Sequence, residues 1–329
     1  MAHLKKVRAL GLSSGGLDSI LAALVLQKQG IEVCWISFET PFFSAEKAEK
    51  AAKFTKIDLI KKNITDIYLK MLKNPPGGYG KNMNPCRDCH AMMFNLAGEV
   101  METMGFDFLF SGEVAGQRPL SQTKSALRYV EKRSGYDGYI LRPLSALHLP
   151  ETIPEKEGKV NREKLLNFSG RSRKPQIKLA REFEITDYPT PGGGCLLTDK
   201  SYSERLKDLL RHQDNFTHED LHLLKYGRCL RLNRGTKVII GRNKLDNENI
   251  MKYYLPKEDT LITTKKIPGP LLIMKNGTRE DVFKAAAICA GYSKALKDAM
   301  VDVEITNING TESVMVKGCH PSSAKKLMI

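Results

Sequence analysis

The first half of the chain alternates short apolar runs with amphipathic segments, which predicts strands and helices in turn. Strand-like runs lie at residues 7–12, 32–38, 58–64, 106–111 and 140–141. Helical periodicity fills the intervals at residues 17–29, 44–55, 90–104 and 125–133. Strands that alternate with helices are typical of a parallel sheet covered by helices. We therefore predict an α/β fold with a doubly wound parallel sheet.

The last third of the chain has a different pattern. Residues 237–240 form an apolar strand-like run, residues 241–247 are rich in turn formers, and Pro268-Gly269-Pro270 precedes a second apolar run. Helical periodicity follows at residues 279–291. This pattern predicts a smaller α+β domain. The expected organisation is a domain over residues 1–150, a connecting segment over 151–224 and a C-terminal domain over 225–329.

Composition narrows the class of protein. The 329 residues are 41% hydrophobic and 27% charged, which argues against collagen-like, disordered and coiled-coil chains. No run approaches the roughly 20 apolar residues that span a bilayer, and the first residues lack the apolar core of a signal peptide. Seven cysteines, an odd number over a long chain, do not resemble a secreted disulfide framework. We expect a cytoplasmic protein whose cysteines serve as thiols, metal ligands or redox groups.

Charge indicates a polyanionic partner. Lys and Arg total 52 against 37 Asp and Glu, a formal net charge of +15, and the sequence pI is about 9.4. The segment from Lys225 to Ile329 holds 19 basic and 10 acidic residues, so it carries +9 of that excess. Nucleic acid, nucleotide phosphates and anionic lipid all fit this sign of charge.

A glycine-rich sequence stands between the first predicted strand and the first predicted helix. Residues 14–19 read SGGLDS. Gly15 and Gly16 allow backbone N–H groups to approach an anion, and Ser14 and Ser19 add hydroxyl donors. Asp18 would repel a polyphosphate unless a divalent cation lay between them. The segment is neither a Walker loop nor a dinucleotide fingerprint. The alternative to a phosphate-binding loop is a plain strand-to-helix turn.

Three cysteines form the second chemical pattern. Cys86 and Cys89 are a Cys-x-x-Cys pair, and Cys195 follows three glycines about a hundred residues later. Three thiolates would leave one iron of a four-iron cluster open to an exogenous ligand such as sulfide. The alternatives are a zinc site completed by His90, a persulfide-forming redox pair and a structural Cys-x-x-Cys.

Two further motifs need interpretation. The basic run from Gly170 to Lys174 suits phosphate contacts, so Arg171, Arg173 and Lys174 are candidates for RNA binding. The sequence at 218–222 reads HEDLH and fits the zinc-protease pattern. Thr217 and Asp220 look like a capping box, which predicts a short helix that begins at His218 and ends by Gly227. We therefore do not expect a metalloprotease.

The SGGLDS sequence resembles the pyrophosphate loop of the PP-loop ATPases. The resemblance implies an enzyme that cleaves ATP between its α and β phosphates and adenylates a carbonyl oxygen. It implies ATP·Mg²⁺ binding by Ser14, Gly15, Gly16, Asp18 and Ser19. In this family the end of the second strand contacts adenine through its backbone, which corresponds to the region of Phe38. Members include ammonia-using synthetases and tRNA thiolases.

The cysteines resemble those of one branch of this family. The segment from Asn84 to Cys89 is similar to the reactive-cysteine segment of bacterial tRNA 2-thiouridylases, with Cys195 matching their second cysteine. Cys86 stands where those enzymes usually have Asp, so the three cysteines resemble the iron–sulfur-dependent thiolases. Residues 111–119 are similar to a Gly-rich segment of tRNA 4-thiouridine synthetases, which makes Gly112 a candidate ligand contact.

The C-terminal third resembles the RNA-binding domain of NFACT ribosome-quality-control proteins. The similarity rests on residues 240–243, Asp246-Asn247, the Pro268-Gly269-Pro270 turn, residues 290–294 and residues 301–303. This resemblance implies RNA contact and makes Arg242 a candidate.

The predicted function is therefore an ATP-dependent, AMP- and pyrophosphate-forming tRNA thiouridine synthase. Asp18, Cys86, Cys89 and Cys195 are its expected catalytic residues, and ATP, Mg²⁺ and a [4Fe-4S] cluster held by the three cysteines are its expected cofactors. The expected partners are tRNA and a sulfide or persulfide donor, without a membrane, and a homodimer is left open. The alternatives are a thiolase that uses a Cys89/Cys195 persulfide without a cluster, a non-thiolating PP-loop synthetase and a non-catalytic RNA adaptor.

Overall fold

The computed structural model describes residues 6–188 and 194–329. The chain divides into two compact units, one up to Thr198 and one from Asp199 to Ile329. The boundary falls inside the segment that was expected to connect two domains. Across the described residues, no helix combines the length and apolar character needed to cross a membrane.

The first unit is built on a five-stranded parallel sheet, which confirms the predicted α/β fold. The strand order is β3-β2-β1-β4-β5. The strands are β1 Arg8–Leu12, β2 Glu32–Glu39, β3 Asp58–Asn63, β4 Phe108–Ser111 and β5 Ile140–Leu141. After β3 the chain returns to the other side of β1, so β1 and β4 are neighbours at the point where the winding direction reverses. In open α/β sheets, ligands bind at this reversal point, just beyond the carboxyl ends of the strands.

Helices connect these strands and pack against the faces of the sheet, which together form the core. The helices are α1 Leu17–Gln27, α2 Glu46–Thr55, α3 Thr65–Lys73, α4 Cys86–Met104, α5 Lys124–Ser134, α6 Ile153–Lys156 and α7 Lys174–Glu182. Trp35, the single tryptophan of the chain, is fully buried in this core. Helix α4 begins at Cys86, four residues before the predicted start, because Pro85 occupies the N-cap position and its carbonyl accepts the N–H of Cys89 at 2.8 Å. The Cys-x-x-Cys pair therefore lies within the first helical turn.

The second unit is a six-stranded antiparallel sheet with helices, which confirms the predicted separate α+β domain. The strand order is β11-β10-β8-β9-β7-β6. The strands are β6 Arg228–Arg231, β7 Lys237–Ile240, β8 Asp259–Thr264, β9 Leu272–Lys275, β10 Met300–Asn307 and β11 Gly310–Lys317. The helices are α8 Lys200–His212, α9 His218–Leu223, α10 Lys244–Met251, α11 Arg279–Gly291 and α12 Pro321–Lys325. Helix α11 has the bounds that its periodicity predicted.

A buried ion cluster fastens α9 to the sheet of the second unit. The Lys275 ammonium lies 3.1 Å from Asp220 of α9 and 2.8 Å from Asp259 of β8, and all three side chains are buried. Each charge compensates a neighbour, since an isolated buried charge is strongly unfavourable. Thr217 and Asp220 form the predicted capping box, and α9 ends at Leu223. The short helix predicted for the HEDLH sequence is confirmed.

Candidate functional site

The turn between β1 and α1 carries the SGGLDS sequence and is held by its own hydrogen bonds. Gly15 has a φ of +69°, and a Cβ atom there would lie 2.1 Å from the backbone of Lys47, so only glycine fits. The Ser13 hydroxyl accepts the N–H of Gly15 at 3.2 Å, and the Ser19 hydroxyl donates to the Gly16 carbonyl at 2.8 Å. No side chain caps α1. Its first N–H groups are thus available to an anion.

Asp18 lies in the first turn of α1 among polar groups that are not fully paired. Its Oδ2 accepts a hydrogen bond from Gln117 Nε2 at 3.1 Å. Both Asp18 Oδ1 and Gln117 Oε1 are buried without a hydrogen-bond partner. Burial raises the pKa of Asp18, while Gln117, Arg173 and Arg118 act in the opposite direction. Two unpaired oxygens on adjacent side chains are the donor type that Mg²⁺ prefers, so these residues fit the ion.

The end of β2 presents a free backbone edge beside this turn. The ladder between β1 and β2 ends at the pair Leu12–Ile36, but β2 continues to Glu39. Phe38 pairs with Lys62 of β3 on one side and has no partner in β1 on the other. Phe38 is buried as a whole residue, and the adenine contact expected at this position stays a prediction.

Two consecutive residues after β4 join the SGGLDS turn to α4. A Cβ atom on Gly112 would lie 2.3 Å from the backbone of Asp18, so this position accepts only glycine. The next residue, Glu113, accepts a hydrogen bond from Ser111 and pairs with His90 Nδ1 of α4 at 2.8 Å. His90 directly follows Cys89. The turn and the cysteine-bearing helix are therefore both in contact with the end of β4.

Glu113 is the centre of a buried ionic network. Its Oε2 accepts the Nε–H of Arg142 at 3.0 Å, and Arg142, itself 2% exposed, also pairs with Glu131. Burial alone would raise the pKa of Glu113, but Arg142 and His90 lower it to about 2. The carboxylate is therefore ionised at neutral pH and fully engaged. Its role in the structure is to position α4 and not to bind a ligand directly.

We expect Glu113→Gln to reduce the free energy of unfolding of the first unit by about 3 kcal/mol, because it leaves Arg142 buried with one anion fewer. Urea unfolding followed by Trp35 fluorescence reports this unit. The pKa of Glu113 lies below the ordinary 4.5, so its contribution is complete above pH 4.5 and is lost as the pH falls towards 2. The wild-type protein should lose stability in that window more steeply than the variant.

The control is Glu49→Gln, which removes a surface partner of Lys61. It should leave the unfolding midpoint nearly unchanged, since exposed pairs contribute little. Equal effects of the two substitutions would contradict the role given to the buried network.

The three candidate cysteines are neighbours. Cys86 and Cys89 lie one turn apart on α4, and Asn84 Nδ2 donates to Cys86 Sγ at 3.2 Å. Cys89 is buried beside Tyr68 of α3. Burial raises the pKa of Cys89, and the nearby Cys195 and Cys86 add to that effect. Burial also raises the pKa of Cys195 to about 11, with a smaller contribution from Cys86. The thiols thus sit within electrostatic range of one another.

Hydrogen bonds fix the segment that carries Cys195. The N–H of Leu196 donates to the Phe42 carbonyl at 2.9 Å, and Asn82 Nδ2 donates to the Thr198 carbonyl at 2.7 Å. Asn82 lies just before Asn84, so the same loop contacts both the Cys195 segment and Cys86. The glycine-rich run before Cys195 lies outside the described residues except for Gly194.

The candidate RNA-binding residues differ in their exposure and in their partners. Arg171 and Lys174 are exposed. Arg173 is half-buried with an unpaired Nε and lies within electrostatic range of Asp18. The N–H of Gly170 donates to the Ala115 carbonyl at 2.8 Å, which brings this basic run beside the segment that follows β4. Arg242, in the second unit, pairs through two nitrogens with Asp246.

The cysteine group is not a preformed site for a single ion. Within residues 6–188 and 194–329, no three His, Cys, Asp or Glu side chains are arranged to hold one metal ion. In donor type, three neighbouring thiols fit a soft metal or an iron–sulfur cluster. His90, the fourth ligand of the zinc alternative, has its Nδ1 engaged by Glu113.

The chain combines a parallel α/β unit, with a glycine-rich turn at the switch point of its sheet, and a second unit built on an antiparallel sheet. Residues 5–154 match the family model described as thiamine biosynthesis protein (ThiI). Residues 227–328 match the model described as NFACT protein RNA binding domain. One part of the chain is therefore similar to the ThiI family, and a later part is similar to the NFACT RNA-binding domain.

Curated relatives match less than half of this chain. Proteins named probable tRNA sulfurtransferase are 28% identical over 155 residues in Lactobacillus gasseri and 33% identical over 149 residues in Acholeplasma laidlawii. These matches cover 44% and 42% of this chain, and 36% and 34% of the relatives. The chain thus matches little more than a third of their length.

Solved structures give more distant likenesses. A 4-thiouridine synthetase in complex with RNA and bound ATP is 21% identical, with a TM-score of 0.36 over 54% of this chain and 52% of that one. A predicted subunit of tRNA methyltransferase from Methanocaldococcus jannaschii is 17% identical, with a TM-score of 0.36 over 54% of this chain and 76% of that one.

Proposed function

We propose that this chain is an ATP-dependent tRNA sulfurtransferase that adenylates a uridine carbonyl oxygen and then exchanges that oxygen for sulfur. One observation carries the proposal. Gly112 packs on Asp18 while the adjacent Glu113 binds His90, so two successive residues link the SGGLDS turn to the helix of Cys86 and Cys89. A nucleotide-activating turn and a thiol group held this close suit a reaction that activates a carbonyl and then delivers sulfur to it. The ThiI-family match and the tRNA sulfurtransferase relatives support the same reaction.

In this proposal the first step forms a bond between the uridine oxygen and the α phosphate of ATP, and pyrophosphate leaves. The N–H groups of Gly16, Leu17 and Asp18 would bind the phosphates, and Asp18 with Gln117 would hold Mg²⁺ against them. Arg118 and Arg173 both lie within electrostatic range of Asp18. We assign both guanidinium groups the role of stabilising the negative charge that develops on the departing pyrophosphate. The backbone of Phe38 contacts adenine.

In the second step sulfur attacks the activated carbon, and AMP leaves with the former carbonyl oxygen. Cys86, Cys89 and Cys195 would hold a [4Fe-4S] cluster. When bound, it would supply sulfide at the iron that has no cysteine ligand. The protein positions these thiols through three contacts described above: Asn84 to Cys86, Tyr68 beside Cys89, and Asn82 to the Cys195 segment. His90 and Glu113 fix the turn of α4 that carries them.

The proposal is tested directly with the purified chain, ATP·Mg²⁺, sulfide and bulk tRNA under anaerobic conditions. Digestion of the tRNA and mass spectrometry of its nucleosides should reveal a thiolated uridine, formed in proportion to AMP. AMP formation without a sulfur-containing nucleoside would instead support a non-thiolating PP-loop synthetase. No tRNA-dependent AMP formation would overturn the proposal.

RNA affinity is assigned to the NFACT-type domain and, on the first unit, to Arg171 and Lys174. In the second unit, Lys265 and Lys266 are exposed and line an open cavity of about 450 Å³ beside the Pro268-Gly269-Pro270 turn. Arg242 is engaged by Asp246 and would need to exchange that partner for a phosphate. The two lysines are therefore the better candidates for phosphate contacts in this unit.

Replacing Lys265 and Lys266 together by alanine should weaken tRNA binding and lower the slope of log affinity against log salt by about 2, one for each lost phosphate contact. Filter binding over a salt series measures both quantities. The matched control is Lys325→Ala with Lys326→Ala, another adjacent and exposed lysine pair in the same unit. If both double variants change the slope equally, net charge and not this surface governs binding.

A further inference from the structure

A cavity of the first unit opens directly on Cys86. Its volume is about 300 Å³. Three segments line it: a glycine-rich stretch before α4, the start of α4 itself, and the chain that leads into α5. The lining residues include Tyr79, Asn84, Cys86, Arg87, Leu120 and Ser125. The function proposed above gives this cavity no role.

We propose that this cavity binds the target nucleotide of the RNA, an unstacked uridine, and so determines which base is modified. The inference rests on the proposed sulfurtransferase function. It specifies where the acceptor lies during both steps, and it assigns a substrate site to residues that were given no contact with RNA above.

The position of the cavity is the first argument. Gln117 is hydrogen-bonded to Asp18, and only three residues later Leu120 lines the cavity. Cys86 lines the cavity from another side. A group bound here is therefore separated from Asp18 by only the short chain between Gln117 and Leu120. It also lies adjacent to Cys86, one of the three thiols. The carbon that is first adenylated and then thiolated must be accessible from both of these places.

The size and chemistry of the cavity are the second argument. About 300 Å³ is at the small end of the range for ligand sites, much larger than a sulfide ion needs and suited to a single nucleoside. The Tyr79 hydroxyl donates to the Leu72 carbonyl at 2.6 Å, which fixes a ring that is 45% exposed. Leu120 is 52% exposed. An ordered aromatic ring and an apolar side chain suit the faces of an unstacked base.

Polar groups at the wall can recognise the edges of the nucleotide. Two polar residues, Asn84 and Ser125, line the cavity. The Arg87 guanidinium is held by a hydrogen bond to the Gly77 carbonyl at 2.6 Å and lies over the ring of Tyr129. A fixed guanidinium can contact a uracil carbonyl or the nucleotide phosphate without a large entropic cost.

Photocrosslinking tests the location of the base independently of turnover. A tRNA transcript in which 4-thiouridine replaces uridine is bound to the full-length protein and irradiated, and the crosslinked peptides are identified by mass spectrometry. We expect crosslinks in peptides that contain residues 77–87 or 117–126. Crosslinks confined to other peptides would overturn the inference, even if thiolation occurs. Crosslinks at the cavity in a protein that does not thiolate would support the site and reject the proposed function.

A substitution that fills the cavity is the second test. Ser125 is exposed at the second position of α5, after Lys124 and the N-cap Thr123. Ser125→Trp should raise the KM for tRNA about tenfold or more, with KM for ATP unchanged, since it obstructs only the acceptor. Ser201→Trp is the matched control, because Ser201 is exposed after Lys200 and the N-cap Asp199 of α8. Equal effects of the two variants, or a change in the KM for ATP alone, would overturn the inference.

Discussion

Replacing any one of Cys86, Cys89 or Cys195 by alanine is expected to lower tRNA thiolation at least about 1000-fold, the scale seen when one member of a catalytic unit is removed. We expect the wild-type protein to bind iron when it is purified anaerobically, and each variant to lose that iron. ATP binding should persist, because the phosphates are assigned to the SGGLDS turn and not to these thiols. Iron content, the visible absorption spectrum and thiolated nucleosides in tRNA are the measurements.

Cys34→Ala is the control, since Cys34 is a partly exposed thiol of the same unit that lies on β2. It should retain both iron and activity. If Cys195→Ala keeps its iron and only Cys89→Ala is inactive, a persulfide mechanism replaces the cluster. If the wild-type protein is colourless, contains zinc and tolerates oxygen, the site is a zinc site.

Asp18→Asn should lower tRNA-dependent AMP formation at least about 100-fold, because the amide removes the charge proposed to hold Mg²⁺ against the phosphates. The same change should make the ATP-free protein more resistant to unfolding. Burial raises the pKa of Asp18, so ionising this side chain at neutral pH costs folding free energy that asparagine avoids. Functional groups commonly lower the stability of the folded protein in this way.

Two measurements separate these effects. Urea unfolding followed by Trp35 fluorescence should show a higher midpoint for Asp18→Asn without ATP, and added ATP·Mg²⁺ should stabilise the wild-type protein much more than the variant. Gln117→Leu should reduce AMP formation by a smaller factor, since it removes an uncharged donor. A less stable Asp18→Asn variant, or one with full AMP formation, would contradict the assignment.

The sequence by itself determined the architecture of the first unit and showed the two family resemblances. Strand and helix periodicities alternate because buried strands and amphipathic helices need those patterns, so β1 to β5 and the SGGLDS turn could be predicted from local residues. The same reasoning predicted the capping box at Thr217 and the bounds of α11. Helix α3 and the start of α4 at Cys86 were missed. Short amphipathic segments and proline-initiated turns give weak local signals.

Only the tertiary structure decided which distant residues meet. Gln117 and Arg173 lie 99 and 155 positions after Asp18, and nothing in their local sequence shows that they approach it. Arg142, buried between Glu113 and Glu131, has no sequence signal that distinguishes it from an exposed arginine. Sequence periodicity reports which face of an element is buried, whereas the contacts between loops depend on how the whole sheet is wound. The pairing of Glu113 with His90, which links the SGGLDS turn to the cysteines, is such a contact.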